Sequence, residues 1–132
     1  MRYLLDSTAI IDFGNRYGPG RDVVRRLFAE TGDLFTCAIV VAESVSGGTD
    51  EEVRSISGLL ESLEFVALDP ETARWAGEQR RAILRSGARK PAVPDALIAA
   101  AAWRLGATIV TRNARDFEAF GVPVLDYGPH LP

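Results

Sequence analysis

The chain has 132 residues, of which 47% are hydrophobic and 25% charged, and its formal net charge at pH 7 is -3. This size and composition fit one folded domain, residues 1–132, and exclude a disordered chain. Cys37 is the only cysteine, which excludes a disulfide framework and a cysteine-based zinc site within one chain. The negative net charge means that a polyanionic ligand would need a local basic segment, a bound metal ion or both.

The N-terminal segment does not have the pattern of a targeting sequence. The run "MRYLLDSTAIID" has a short apolar stretch that Asp6 interrupts, unlike a signal peptide. No run in the sequence approaches the ~20 apolar residues that span a bilayer. We therefore expect a cytoplasmic protein without a membrane partner.

Short β-rich runs alternate with helical patterns along the chain. The predicted strands cover residues 2–5, 33–37, 64–68, 108–111 and 123–126. The predicted helices cover residues 21–30, 51–63, 70–86 and 94–105, and a further apolar helical face lies within residues 37–48. Strands that are apolar on both faces and alternate with helices indicate an α/β sandwich, with a central, mostly parallel sheet of four to five strands flanked by helices. Ligands of such sheets bind beyond the carboxyl ends of the strands.

Four acidic residues lie where ligand-binding carboxylates are expected. Asp6 follows the first strand, Asp95 lies in the first turn of the last helix, and Asp116 follows the fourth strand, with Asn113 between. Each aspartate could instead cap a helix or interact with its dipole, which is worth only ~1 kcal/mol. Glu43 differs because it interrupts an apolar helical face, where a lone carboxylate is costly unless a partner compensates it.

These four carboxylates would repel one another if they shared one edge of the sheet. Two charges ~4 Å apart repel by roughly 4 kcal/mol at an effective dielectric constant near 20. Either some of the carboxyls stay protonated or a divalent cation neutralises them. Because the donors are all oxygens, the ion would be Mg²⁺, with Mn²⁺ as a possible substitute, and Mg²⁺ commonly also takes phosphate oxygens of a substrate.

The order and spacing of these motifs resemble the PIN-domain ribonucleases, and most of all the VapC toxins of VapBC toxin–antitoxin pairs. The resemblance rests on "LLDSTAIID", the lone Glu43, Pro94-Asp95-Ala96 and "TRNARDF" after an apolar strand, and it covers essentially the whole chain. It implies a PIN-like sandwich and a Mg²⁺-dependent endoribonuclease. The implied catalytic and metal-binding residues are Asp6, Glu43, Asp95 and Asp116, and the implied supporting residues are Thr8, Thr111 and Asn113. Ser7 could replace Thr8 as the hydroxyl after the first aspartate, but we favour Thr8.

The chemistry expected of such a site is in-line attack of a metal-activated water on phosphorus, leaving a 5′-phosphate. Asp6 and Asp95 would hold Mg²⁺, while Glu43 and Asp116 would bind a second ion or order the water, so one or two metals are possible. Histidine acid–base chemistry is disfavoured because His130, the sole histidine, is close to the C-terminus and is expected to be a solvated tail residue.

A basic segment precedes Asp95 and suggests how an acidic protein could bind RNA. The run "RRAILRSGARK", residues 80–90, contains no acid, and two further arginines flank Asn113. The segment could equally be a solvated helix face. The candidate RNA-binding residues are Arg85, Arg89, Lys90, Arg112 and Arg115.

The resemblance also implies partners, namely a VapB-like antitoxin and a second copy of the chain in a homodimer. An arginine of the antitoxin could neutralise the carboxylates in place of a metal. Three other functions are alternatives: a housekeeping PIN-domain nuclease that processes RNA, a silent PIN-like binding module, and a phospho-acceptor receiver domain. A silent module would normally lack some of the four acids, and a receiver needs a lysine after a late strand, whereas the sole lysine, Lys90, precedes a helix.

The larger apolar side chains are predicted to fill the core. The tryptophans and phenylalanines are expected to pack inside the protein and not to stack on bases. The apolar residues of the early helices could serve an interface, although core packing is the safer assignment. The residues concerned are Phe28, Phe35, Phe65, Trp75, Trp103 and Phe117, and, on the early helices, Val24, Leu27, Ile56 and Leu60.

Overall fold

The computed structural model describes residues 1–128, so His130 lies outside the described residues. The strands are β1 (Tyr3–Leu5), β2 (Leu34–Cys37), β3 (Glu64–Val66), β4 (Thr108–Thr111) and β5 (Val124–Asp126). The helices are α1 (Ser7–Gly14), α2 (Gly18–Glu30), α3 (Ala38–Ser44), α4 (Asp50–Glu61), α5 (Pro70–Arg85) and α6 (Val93–Leu105). Two 3₁₀ turns, Ala114–Asp116 and Glu118–Phe120, connect β4 to β5. None of the helices within residues 1–128 is long and apolar enough to cross a bilayer.

The five strands form one parallel sheet in the order β3-β2-β1-β4-β5. In the centre, Leu4 of β1 is paired with Phe35 of β2 on one side and with Ile109 of β4 on the other. The predicted fold class, an α/β sandwich with a parallel sheet of four to five strands, is therefore confirmed. Since β1 and β4 are neighbours and run in the same direction, the residues that follow them meet at one edge of the sheet.

Local sequence signals set the helix boundaries. Asp6 and Asp69 cap α1 and α5 by accepting hydrogen bonds from the backbone N–H groups of Ala9 and Thr72. Gly106 ends α6 in the left-handed conformation, with φ of 63°, which glycine adopts without steric cost. The apolar helical face predicted within residues 37–48 is α3, which ends at Ser44.

Core packing accounts for most of the large apolar residues but not for all of the aromatic ones. Val24, Leu27 and Ile56 are buried, which confirms their assignment to the core. The core prediction is wrong for Phe65 and Trp103, which are 60% and 42% exposed. Phe65 lies on β3, the edge strand, which has a neighbouring strand on one side only. Trp103 instead stacks on Trp75, with ring centroids 4.9 Å apart.

Candidate active site

The carboxylate of Asp6 is buried at the carboxyl end of the central strand and is held by several donors. The residue is 3% exposed. Thr8 Oγ1 donates a hydrogen bond of 2.7 Å to Asp6 Oδ1, and Thr111 Oγ1 donates one of 2.6 Å to Asp6 Oδ2. Burial raises the pKa of Asp6 above its ordinary value, while these hydrogen bonds act in the opposite direction because they favour the carboxylate.

The two hydroxyl groups are themselves oriented by the backbone that follows β4. The N–H of Arg112 donates to Thr8 Oγ1 at 3.1 Å, and the N–H of Asn113 donates to Thr111 Oγ1 at 2.9 Å. Because each hydroxyl oxygen accepts an amide hydrogen, its own hydrogen is free to point at Asp6. Of the two candidate hydroxyl groups, it is therefore that of Thr8, and not that of Ser7, which contacts Asp6. Asn113 orients the Thr111 hydroxyl through its backbone N–H.

Asp95 lies within electrostatic range of the other three acids. It is half-buried in the first turn of α6. Burial is the main cause that raises the pKa of Asp95 to about 6, and the negative charges of Asp116, Glu43 and Asp6 raise it further, in that order. The positive charge of Arg89 acts against them. The charges of the other three acids therefore reach Asp95, although the four acids are widely separated in sequence.

Neither helix capping nor the helix dipole is sufficient to explain the three aspartates. Asp116 is the last residue of the first 3₁₀ turn, and in the described part of the chain neither 3₁₀ turn has a side-chain cap. Asp95 lies in the first turn of α6, where the helix dipole favours a negative charge, but that interaction would lower its pKa, whereas the pKa of Asp95 is raised. Asp6 does cap α1, yet it also accepts the two hydroxyl hydrogen bonds, which helix capping does not require.

Glu43 has a buried oxygen without a partner. It lies on α3 next to a cavity of about 290 Å³ that is also lined by Asn15, Ser44 and Ile56. Within residues 1–128, Glu43 Oε1 is buried and accepts no hydrogen bond. A buried carboxylate oxygen in this state is energetically unfavourable, so it is a candidate to bind a cation or an ordered water.

A cleft of about 340 Å³ joins the acids to the basic segment. Asp95 and Asp116 lie on its wall, and its cationic lining residues are Arg80, Arg89, Lys90 and Arg115. Arg89 Nη2 lies 3.9 Å from Asp116 Oδ1. Arg85 is exposed at the end of α5 and is not part of this lining. The cleft therefore places cations beside carboxylates, as binding of a phosphodiester next to a metal site would require.

Arg112 differs from the other candidate RNA-binding residues because its charge is already paired. Its Nε lies 3.0 Å from Asp12 Oδ2, and its guanidinium lies over the ring of Tyr17, 5.4 Å from the centroid. Asp12 is 3% exposed and also accepts a hydrogen bond of 2.7 Å from the hydroxyl of Tyr127. The sequence interpretation missed Asp12, although it is an acid in an apolar helical run, the same signal that drew attention to Glu43.

The donor chemistry of the site fits Mg²⁺, but the carboxylates are spaced more widely than the sequence led us to expect. Among the described residues, no three acidic, histidine or cysteine side chains lie close enough to hold a metal ion together. Mg²⁺ commonly takes one or two carboxylates and completes its octahedron with waters and phosphate oxygens. Asp6, which is buried, and Asp95, whose pKa is raised in part by the charge of Asp6, fit that smaller requirement.

The fold and the site together define an α/β protein with an acidic centre at the carboxyl edge of a parallel sheet. The chain belongs to the PIN domain family, which matches residues 3–122. The resemblance inferred from the sequence is thus confirmed. No curated protein matches the chain significantly.

Solved structures of similar fold include proteins of toxin–antitoxin complexes. FitAcB from Neisseria gonorrhoeae is 26% identical, with a TM-score of 0.76, over 98% of this chain and 99% of that chain. VapBC2 from Rickettsia felis, bound to a DNA fragment from its promoter, is 22% identical, with a TM-score of 0.79, over 96% and 98%. VapBC-5 from Mycobacterium tuberculosis, a member of the VapBC family of toxin–antitoxin systems, is 20% identical, with a TM-score of 0.64, over 95% and 98%. The two matches below 25% identity show a shared fold.

Proposed function

We propose that the protein is a Mg²⁺-dependent endoribonuclease that acts as the toxin of a type II toxin–antitoxin pair. The observation that carries this proposal is the buried Asp6 carboxylate, held by Thr8 and Thr111, in a region it shares with Asp95, Asp116 and Glu43. A purely structural role would not gather four carboxylates at the ligand-binding edge of a sheet, since their mutual repulsion destabilises the fold.

The four acids would have separate roles in phosphodiester hydrolysis. When bound, Mg²⁺ would supply Lewis-acid activation of the attacking water and neutralisation of developing charge. Asp6 and Asp95 would hold that ion, with Asp6 fixed in orientation by its two hydroxyl donors. Glu43 and Asp116 would bind a second ion or order the water for in-line attack on phosphorus. A new P–O bond forms as the bond to the 3′ oxygen breaks, leaving a 5′-phosphate on the product.

The cationic side of the cleft would bind the RNA backbone next to the reacting phosphate. Arg89, Lys90 and Arg115 line this cleft together with Asp95 and Asp116. Arg85, beyond the cleft, would contact a phosphate further along the strand. Arg112 would contribute less than the others because its guanidinium is paired with Asp12. These local cations would offset the net charge of -3, which otherwise repels a polyanion.

The proposed activity implies a partner protein that inhibits it. A nuclease that cuts cellular RNA in the cytoplasm must be inhibited until needed, and the VapBC complexes among the similar structures support a VapB-like antitoxin. An arginine of that partner could neutralise the carboxylates in place of Mg²⁺. We also propose a homodimer, on the basis of the family resemblance. A housekeeping role in RNA processing would use the same chemistry and is the alternative.

Cleavage of RNA can be tested directly. Purified protein is incubated with total cellular RNA in the presence of Mg²⁺ or EDTA, and the 5′-phosphorylated ends are mapped. We expect discrete new ends with Mg²⁺, none with EDTA and none with Asp6→Asn. The matched control is Asp33→Asn, because Asp33 is exposed and directly precedes β2, at the end of the parallel sheet opposite to the carboxyl end that Asp6 follows. Cleavage by Asp6→Asn at the wild-type level would contradict the assigned site.

The biological role needs a separate experiment. The protein is expressed in cells with and without the small reading frame adjacent to its own. Growth arrest that the adjacent product relieves supports a toxin. Harmless expression at a high level, with cleavage still observed in vitro, would favour RNA processing.

A further inference from the structure

Asp12 is the buried centre of a polar network that the proposed chemistry does not use. The Asp12 network consists of Asp12, Tyr17, Arg112 and Tyr127. Asp12 Oδ2 accepts from both Arg112 Nε and the Tyr127 hydroxyl, at 3.0 and 2.7 Å. Arg112 is the first residue after β4 and Tyr127 the first after β5, so one oxygen on α1 joins two neighbouring strand ends.

Tight packing keeps Asp12 in place. A Cβ at Gly20 would lie 2.6 Å from Asp12 Cβ, so the backbone of α2 is in direct contact with this side chain. The backbone N–H of Tyr17 donates to Asp12 O at 2.9 Å, and the ring of Tyr17 lies against the Arg112 guanidinium. Asp12 therefore has little freedom to move, and it can fix the position of Arg112.

A short path of contacts connects the Asp12 network to the proposed metal ligand. The side chain of Arg112 binds Asp12, while the backbone N–H of the same residue donates to Thr8 Oγ1 at 3.1 Å. Thr8 Oγ1 in turn donates to Asp6 Oδ1 at 2.7 Å. A shift of Arg112 would remove the amide that orients the Thr8 hydroxyl, and the Asp6 carboxylate would lose its fixed orientation.

Tyr127 is the second side chain that donates to Asp12. Burial and the hydrogen bond to Asp12 raise the pKa of Tyr127 well above its ordinary value, and the Thr8 hydroxyl and the Asp6 charge also influence it. Tyr127 therefore stays protonated and can act as a donor at every pH at which the protein would work.

We propose that Asp12, Arg112 and Tyr127 are positioning residues, which hold the end of β4 so that the Thr8 hydroxyl orients the Asp6 carboxylate for metal binding. This inference rests on the proposed function, because it assumes that Asp6 is a metal ligand. It assigns to Arg112 a role different from RNA binding. Residues that orient a metal ligand from the second layer typically affect metal affinity or activity by about 10- to 100-fold when they are replaced.

The inference is tested with Tyr127→Phe, which removes one hydroxyl, and with Asp12→Asn, which removes the charge and keeps the size. Tyr3→Phe and Glu78→Gln are the matched controls, since Tyr3 and Glu78 make exposed contacts elsewhere. Mn²⁺ affinity is measured by electron paramagnetic resonance without RNA, and exchange of the Arg112 amide hydrogen is followed by NMR. Steady-state cleavage then gives kcat and the KM for RNA.

We expect each network variant to bind Mn²⁺ about tenfold more weakly or worse, to lose protection of the Arg112 amide, and to show lower kcat with unchanged KM for RNA. Wild-type Mn²⁺ affinity and amide protection in both variants would overturn the inference, whatever happens to the melting temperature. So would a raised KM at unchanged Mn²⁺ affinity, because Arg112 would then act on RNA. Failure of the proposed function is distinguishable, since in that case the wild-type protein would itself bind no Mn²⁺ or cut no RNA.

Discussion

Thr111 Oγ1 donates a hydrogen bond of 2.6 Å to Asp6 Oδ2, although the two residues are 105 positions apart in the sequence. The contact exists because β4 pairs with β1 in parallel, with Leu5 opposite Val110, so that the strands end side by side. Both residues are buried, and the bond therefore forms in a medium of low dielectric constant, where it is stronger than in water.

Thr111→Val should weaken both the site and the fold. Valine keeps the shape of threonine but leaves Asp6 with one donor fewer, at a cost of about 1 to 3 kcal/mol in the free energy of unfolding. The pKa of Asp6 should rise further, and cleavage should fall by about 10- to 100-fold. Denaturant unfolding and a cleavage assay measure the two effects. Thr108→Val, at the start of the same strand, is the control, and equal effects of both substitutions would contradict a specific role for Thr111.

The raised pKa of Asp95 predicts how stability depends on pH. Its folded value is about 6 and its ordinary value is 3.8. Between these values the unfolded chain releases its proton while the folded protein keeps it, so Asp95 lowers stability as the pH rises from about 4 to 6. Above about pH 6 Asp95 is charged in both the folded and the unfolded protein. Its unfavourable effect on the free energy of unfolding is then complete and no longer changes with pH.

Asp95→Asn should therefore raise the melting temperature at pH 8 and change it little near pH 4, in EDTA. Addition of Mg²⁺ at pH 8 should stabilise the wild-type protein much more than the variant, because metal binding to the folded state requires the charged carboxylate. Thermal unfolding at the two pH values checks both statements. A variant that is less stable than wild type at pH 8 without metal would show that Asp95 is not under electrostatic stress.

Periodicity and turn signals predicted the elements of this fold because those signals are local. Asp69 and Gly106 mark helix ends by their own backbone and side-chain preferences, whatever the rest of the chain does. Strand order is not local, and it is the pairing of β1 with β4 that creates the contact between Thr111 and Asp6. Phe65 was misassigned for the same reason, since nothing within the run "EFVAL" shows that its strand lies at the edge of the sheet.

The candidate site was predictable to a similar extent. Asp6, Asp95 and Asp116 stand out because they lie beside strand and helix ends, and Glu43 because it interrupts an apolar helix. The distances among them were not predictable, and neither was the pairing of Arg112 with Asp12, since side-chain positions depend on how the helices pack. Net charge and local runs of cations cannot show which arginines are already paired.

The cleft residues should contribute individually to the salt dependence of RNA binding. Lys90→Ala and Arg115→Ala should each weaken binding and reduce the slope of log affinity against log salt by about 1, because each removes about one phosphate contact. Arg25→Ala, an exposed arginine on α2, should leave the slope unchanged. Filter binding or fluorescence anisotropy at several salt concentrations, with the Asp6→Asn background to prevent cleavage, gives the slopes. A slope that stays constant in both cleft variants would argue against phosphate binding there.

Repulsion between Glu43 and Asp95 can be measured as a coupling energy. Each of Glu43→Gln and Asp95→Asn removes the same unfavourable pair, so each single variant should gain stability at pH 8 in EDTA. The double variant can gain that energy only once, and its stabilisation should fall short of the sum of the singles by about 0.5 to 3 kcal/mol. The control replaces Glu61, an exposed acid on α4. Glu61→Gln and Asp95→Asn should have additive effects on stability. Additivity for Glu43 as well would mean that its charge does not reach Asp95 and that the two do not share a cation, whereas the predicted shortfall would place both charges in one site.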